Sequence, residues 1–581
     1  MSVFFAPNSD PANPNRDFVL DATASTSCPV SIQNWFDPEC PALELSFTGH
    51  LLNASDPCPT APVAELGFSP RSSIVDLRKS LHKPIAAIAE ETLAAMKAGT
   101  QIILSPVLPI DWDEHRVGRP HLLVRGPSAT SGRPGYVPVI YRDHRILEAR
   151  HVDHPDAQRF SYLDAPSPTD SFVNTDWGFK WSRERDALQL AHYWQILQST
   201  GWASATRPLG GVISSEIYPD VSNRQVITWV RLWRKFLWTF SVKTPEKFRS
   251  HSPTHRYRHE WDFRMKIIDV VRNDHRRMVS PIVIPECSAC LWWDYCRPTL
   301  DPGDLSLVID KARLDVREIT TLRSLGIHSI DDLAIADLDD LEAQYLPLVE
   351  HRPGGRERLR LAKRRAEMLH RGVSIEKVTD TEINLPIHEV EIDLDIESSA
   401  SGKVYLWGFL IRDRAGGHEP EYVSFVDFDV ESKTDEVALA SRAMSWLTTH
   451  FANRDVMIYH YSDYELVNLR RLAQLTGPQS ALGRGLELTH SHSCDLFGIV
   501  RENFFSAHGL GLKYVAQTLA GFEWRDPDPG GLNSQHWLTA LLGAGSEPER
   551  EDWGRRILEY NEDDTRATAA LRDWLRAHST I

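Results

Sequence analysis

Residues 391–398 read EIDLDIES, an unbroken alternation of acid and aliphatic side chains closed by a serine. In an extended chain, side chains two apart share a face. Asp393, Asp395 and Glu397 therefore point one way, and Ile392, Leu394 and Ile396 the other. Three like charges on one face repel, and a solvated surface strand is the plain reading of these residues alone. The aliphatic opposite face and the apolar run that follows at 404–411 instead make this a central strand. Clustered carboxylates in such a place invite a divalent cation.

Working outward, residues 390–396, 404–411 and 422–428 predict a three-strand meander, after which helices dominate to residue 581. IYHYSDYELVNLRRL (458–472) predicts a helix starting near Ser462, with Glu465 in its first turn. LEYNEDDTRATAALRDWL (558–575) predicts a helix on which Tyr560 and Asp564, four apart, share a face. Ile557, Ala567 and Leu571 mark the side that meets the sheet. Tyr560 alone would read as a packed aromatic; its register with Asp564 favours a functional role.

This order of motifs resembles the DEDDy exonucleases of the ribonuclease H superfamily, of the YprB-like type. The resemblance implies a metal-dependent 3′→5′ exonuclease domain at 381–581. Asp395 and Glu397 match its first motif, and Tyr560 and Asp564 its last. Glu465 stands where the family usually has aspartate, which keeps the charge on a longer arm, with Asp463 as the alternative. Two Mg²⁺ or Mn²⁺ ions are implied, held by Asp395, Glu397 and Asp564, with Tyr560 orienting the attacking water. CDLFGIV (494–500) and GLGLKYVA (509–516) extend the likeness and place Asp495 and Lys513 near the nucleic-acid strand.

The whole chain of 581 residues is long enough for two to four compact units. With 42% hydrophobic and 25% charged residues it has a globular composition. Its longest apolar runs fall short of a membrane span, and residues 1–16 lack the pattern of a secretory signal, so no membrane partner and a cytoplasmic address are expected. A net charge of −16 opposes binding of nucleic acid by the chain as a whole. Positive charge nevertheless concentrates at 224–258 and 352–371. The segment 301–380 reads as short helices around Gly turns, including LRSLGIHSIDDLA (322–334), followed by a basic helix at 356–370. It is either a helix-hairpin-helix-like module that holds a nucleic-acid backbone or a plain helical linker. No Gly-x-x-x-x-Gly-Lys-Ser/Thr loop is present, so any motor is a separate helicase partner.

Residues 1–300 predict a mixed α/β region, with helices at 85–98 and 186–197 and strands at 101–108 and 136–141. Cys287, Cys290 and Cys296 form C-x2-C-x5-C, with Cys28 far upstream. Thiolates at this spacing select soft or borderline metals. The pattern resembles the iron–sulfur nucleases of the RecB type, in a restriction-endonuclease-like fold. That resemblance implies a 4Fe–4S cluster, with Zn²⁺ as the alternative, joining both ends of the domain. Cys40 and Cys58 are spare candidates for zinc, and Cys494 is expected to be buried. GRPHLLVR (118–125), GYVPVIYRDHR (135–145) and QLAHY (189–193) resemble the family's two catalytic strands and the helix that follows. His121 and Ile140 stand in place of its aspartates, and Arg142 in place of its lysine. The resemblance thus implies an inactive fold in which Gln189 and Tyr193 contact DNA, unless Asp113 or Asp143 substitutes by a register shift.

The expected fold class is α/β multidomain: a RecB-type restriction-endonuclease-like domain at 1–300, a helical linker at 301–380, and a ribonuclease H-like domain with a mixed sheet at 381–581. The expected function is a nuclease with one live site acting on nucleic acid, DNA before RNA. The rivals are a catalytically silent binding protein and an RNA 3′-end exonuclease.

Overall fold

The computed structural model describes residues 3–5, 18–40, 67–69, 72–142, 144–149, 157–180, 182–214, 217–218, 221–240, 248–309, 314–399, 402–430, 432–527 and 533–578. Cys58 and Asp143 lie outside the described residues. The chain divides into two compact units, Met1–Asp301 with Ala343–Gly355, and Pro302–Glu342 with Arg356–Ile581. No helix among the described residues is long and apolar enough to cross a membrane.

The first unit contains helices α1 (Pro29–Phe36), α2 (Ile85–Lys97), α3 (Glu184–Ser199) and α4 (Pro253–Asp274). Its strands are β1 (Ile74–Asp76), β2 (Ile102–Leu104), β3 (Leu122–Gly126), β4 (Gly135–Arg142), β5 (Gln158–Tyr162), β6 (Phe172–Asn174), β7 (Leu209–Ser214) and β8 (Val226–Arg231). They form one sheet in the order β1-β2-β3-β4-β7-β8-β5-β6. β2, β3 and β4 pair antiparallel, whereas β4 and β7 pair parallel, and the parallel step needs the crossover that α3 supplies. The strand expected over 101–108 stops at Leu104. Ser105 there takes φ 50°, a left-handed conformation that cannot continue a ladder.

In the second unit, α5 (Val316–Ser324) is closed at its start by a reciprocal cap between Asp315 and Glu318, and α6 (Ile330–Ile335) by one between Ser329 and Asp332. Gly326 turns between them at φ 86°. The basic helix α7 (Gly355–His370) follows. Its positive charges are largely matched within the unit: Arg358 bonds Glu318 at 2.7 Å, Arg360 bonds Glu342 at 2.7 Å, and Arg364 bonds Glu376 at 2.9 Å. The charge density visible in sequence at 352–371 is therefore partly offset by acids of the same unit.

A five-stranded sheet then forms from β9 (Val390–Ser398), β10 (Val404–Asp413), β11 (Glu421–Val426), β12 (Val456–His460) and β13 (Ser493–Asp495), in the order β11-β10-β9-β12-β13. Helices α8 (Lys433–Phe451), α9 (Tyr464–Thr476), α10 (Leu496–Asn503), α11 (Leu512–Ala520), α12 (Asn533–Leu542) and α13 (Glu547–Ala577) surround it. β9 is central as predicted, antiparallel to β10 and parallel to β12. Its aliphatic face, Ile392, Leu394 and Ile396, packs in one core with Leu439, Ala443 and Leu447 of α8. The acidic face meets α13.

Four residues of helix advance about 6 Å, and two residues of strand about 6.6 Å. The helix row Tyr560, Asp564, Thr568, Arg572 and Arg576 lies along the acidic face, with Asp564 near Asp395 and Glu397 at one end and the two arginines on Asp393 and Glu391 at the other. Arg572 donates to both oxygens of Asp393 at 2.7 and 2.6 Å, and Arg576 reaches Glu391 at 2.5 Å. Asp393, expected to join the acidic cluster, is instead neutralised. Burial pushes its carboxyl up to about 6 against the pull of Arg572.

Arg572 and Asp393 are essentially inaccessible, so removing one partner leaves a buried unpaired charge, which costs about 3–5 kcal/mol. Arg572→Met should lower urea-unfolding stability by that order, and Arg572→Met with Asp393→Leu should recover much of it. Equal losses in the single and double variants would show that the pair does not seat α13.

Candidate active site

Asp395 and Glu397 from β9 and Asp564 from α13 bring ligand oxygens within 4.8 Å of one another, the one such group among the described residues. Glu397 and Asp564 are buried, and Asp395 is open at its edge. Each carboxylate is oriented by a neutral donor. Asn561 donates to Asp395 Oδ2 at 2.6 Å, Ser534 Oγ to Glu397 Oε2 at 2.7 Å, and Trp524 Nε1 to Asp564 Oδ1 at 2.7 Å. Sequence reasoning missed these three residues, because a lone Asn, Ser or Trp carries no spacing signal until the fold brings it to an acid.

Burial, and then the charges of Asp564, Glu397 and Glu465, hold the Asp395 carboxyl well above its usual range. Glu397 is pushed up to about 8, by burial first and Asp564 second. Asp564 is also raised by burial, opposed by the nearby ammonium of Lys513. Lys513 bonds the hydroxyl of Tyr560, with its Nζ 4.3 Å from the ring centroid. Burial and the neighbouring carboxylates push the Tyr560 phenol up, so it stays protonated and can donate. The sequence placed Lys513 near a bound strand. The structure places it over the acidic cluster, as a cation facing the anions.

Glu465, in the first turn of α9, is buried with its Oε2 accepting no hydrogen bond and 4.0 Å from His460 Nδ1, and burial pushes it up to about 8. It stands outside the close trio but near enough for its charge to act on Asp395. The alternative, Asp463, is exposed, so Glu465 is the acid turned inward. The turn before it is strained: Ser462 has φ 97°, which costs about 1–3 kcal/mol in a non-glycine residue. Asp495 holds that turn, accepting from the backbone N–H groups of Ser462 and Phe497 at 3.0 Å each. Asp495 therefore pins the loop carrying Glu465 and caps α10; its carboxylate is engaged within the fold.

A cluster of buried, like-charged hard oxygens fits one or two divalent cations, because their opposite charge removes the repulsion that burial intensifies.

In the first unit, Cys28, Cys287, Cys290 and Cys296 line one cavity with Ile282, Ile284 and Trp292. Asn34 Nδ2 lies 3.4 Å from Cys296 Sγ, and the Ile284 N–H 3.4 Å from Cys287 Sγ. Burial pushes the Cys28, Cys287 and Cys296 thiols up. The four sulfurs are not drawn together as tightly as the acidic trio. Cys40 lies instead beside Arg277, 3.8 Å from its Nη2, and Cys494, expected to be buried, is only partly covered.

The residues in the place of a catalytic set have other employment. Ile140 is fully buried, and His121 Nδ1 accepts from the Tyr141 N–H at 3.2 Å. Arg142 donates to Asp186 at 2.5 Å and bonds Gln189, and His144 meets the same Asp186 at 2.9 Å. Gln189 lines a cavity with Arg142, His144 and Arg185. Tyr193 is buried, and its hydroxyl lies between Gln189 at 2.8 Å and the Arg119 carbonyl at 3.1 Å. Its ring packs in the core of the first unit's sheet, among Ile140, Leu190 and Ile196.

Comparison with known families gives one match: residues 393–576 fit the model of the RNase_H superfamily. No curated protein and no solved structure matches the chain. The matched segment spans β9 to α13 and so contains the whole acidic site. The second unit thus carries a ribonuclease H-like domain of nuclease type, with an acidic cluster fit for the divalent metals that such nucleases use on nucleic acid.

Carboxyls raised to about 8 hold protons in the folded state that the unfolded chain has lost, so between about pH 5 and 8 metal-free stability falls as pH rises. Thermal melts in chelator should show the midpoint dropping across this window, and Mn²⁺ should abolish the drop. A flat profile unmoved by Mn²⁺ would remove the case for a metal centre.

Proposed function

We propose that the second unit is a metal-dependent 3′→5′ exonuclease acting on DNA, with Asp395, Glu397, Glu465, Tyr560 and Asp564 as its active site. The observation that carries this is the convergence of Asp395, Glu397 and Asp564 within 4.8 Å on a buried floor, with Glu465 beside them. Two Mg²⁺ or Mn²⁺ ions, when bound, supply an activated water and stabilise the leaving oxygen of a phosphodiester. Asp395, Glu397 and Asp564 would hold the metal ions. Glu465 adds the last carboxylate from the opposite loop. Tyr560, protonated and braced by Lys513, donates toward the attacking water or the scissile phosphate. With no nucleotide-binding loop in the chain, duplex opening falls to a separate helicase. A cytoplasmic address accords with this role.

We further propose that the first unit is a RecB-type nuclease fold that holds substrate without cutting it. The antiparallel pairing of β3 with β4, the α3 crossover and the loss of a carboxylate at Ile140 support this. Its four cysteines have the donor chemistry for a 4Fe–4S cluster, or for Zn²⁺. The purified protein should be brown, with broad visible absorbance bleached by oxidation, and Cys290→Ser should lose the colour. A colourless protein with stoichiometric zinc would assign the site to zinc, and one with neither metal would withdraw it.

Asp395→Asn removes a charge while nearly keeping shape, and should lower Mn²⁺-dependent cleavage of labelled single-stranded DNA by about 10²-fold or more. RNA of the same sequence, run in parallel, tests the polymer preference. Undiminished cleavage by Asp395→Asn would place the active site elsewhere, and inactivity of the unaltered chain on both polymers would favour a silent binding protein.

A further inference from the structure

Asn561, which no motif reading singled out, is fully buried between the acidic site and β11. Its Nδ2 donates to Asp395 Oδ2 at 2.6 Å, and its Oδ1 accepts from the Tyr422 hydroxyl at 2.7 Å. Against an ionised Asp395, the state a bound cation favours, the carboxylate can only accept, so the amide turns its NH₂ to Asp395 and its oxygen to a donor, and Tyr422 provides that donor.

The sheet leaves room for this arrangement. Gly408 of β10 stands opposite Asp395 in the ladder, and it is the lone glycine in the run VYLWGFLIRD. A Cβ at 408 would fall 1.8 Å from Asn561 Oδ1 and 2.9 Å from the Tyr422 hydroxyl. The amide therefore occupies the volume that any other residue at 408 would fill. Three features from three elements, a hydroxyl on β11, a missing side chain on β10 and an amide on α13, converge on one oxygen of one acid.

We propose that Asn561 is a positioning residue for the metal centre. Held by Tyr422 over Gly408, it fixes the rotation of the Asp395 carboxylate and so the direction in which its other oxygen meets a divalent cation. This rests on the reading of Asp395 as a metal ligand. Asn561 itself makes no contact with substrate in this role.

The test is a double-mutant cycle on the full-length protein, with Mn²⁺ affinity read directly by titration calorimetry and the Mn²⁺ requirement of DNA cleavage read alongside. Loss of a hydrogen bond to a charged group corresponds to about a 10- to 100-fold change, so Asn561→Ala should weaken Mn²⁺ binding by about that factor. Tyr422→Phe should weaken it by about 3-fold, the size of a neutral hydrogen bond, and should add nothing in the Asn561→Ala background, because Tyr422 acts only through the amide. Gly408→Ala should weaken binding as Asn561→Ala does, and Asn561→Ala should suppress the stability loss that Gly408→Ala causes.

Unchanged Mn²⁺ affinity in Asn561→Ala, or losses that multiply fully in the double variant, would overturn the inference. If Asn561→Ala does not fold, Tyr422→Phe decides alone: a shifted Mn²⁺ requirement upholds the inference and an unshifted one ends it. Asp395→Asn keeps the two levels apart. If it abolishes Mn²⁺ binding while Asn561→Ala does not weaken it, only the positioning role fails; if it too leaves Mn²⁺ binding intact, the metal-centre reading fails.

Discussion

The seating of α13 on β9 governs the second unit. A helix row with a four-residue period lies along a strand row with a two-residue period, and Thr568 separates its acidic half from its basic half, so the strand's carboxylates meet different partners at the two ends. At one end the partners are arginines, and the pairs Asp393–Arg572 and Glu391–Arg576 form the joint. At the other end the partner is another acid, Asp564, and the joint becomes a site. The arginine pairs supply the attraction that holds the helix where its acid would otherwise be repelled.

Much of this was readable in EIDLDIES and in the four-residue step from Tyr560 to Asp564, because period-two and period-four patterns report directly on which side chains share a face. The strand, its central place, both acids and the helix that completes them follow from those patterns. The division of labour within the row does not. Asp393 and Asp395 look alike in sequence, and only the position of Arg572, 179 residues further on, makes one a structural ion and the other a candidate ligand. Asn561, Ser534 and Trp524 were illegible for the same reason, since each depends on a single tertiary contact.

The first unit shows the opposite limit. The order of strands and helix was legible, and so was the absence of a carboxylate at 140, since both are properties of local sequence. The fate of Tyr193 was not: a tyrosine on a helix facing a strand edge can reach outward or pack, and here the Arg119 carbonyl and the Gln189 amide hold its hydroxyl inside. The basic stretch at 352–371 is a related case. Sequence counts charges one sign at a time, whereas Glu318, Glu342 and Glu376 arrive from outside the helix to match them.

The burial of the acidic floor bears on the order of events in solution. Without metal, burial keeps protons on Glu397 and Glu465 up to about pH 8 and holds the Asp395 carboxyl well above its usual range, with the ammonium of Lys513 beside them. Divalent cations favour the ionised carboxylates and so displace those protons. On the proposed reading, metal uptake is thus an exchange of protons for cations, and the pocket takes its cations more tightly as pH rises.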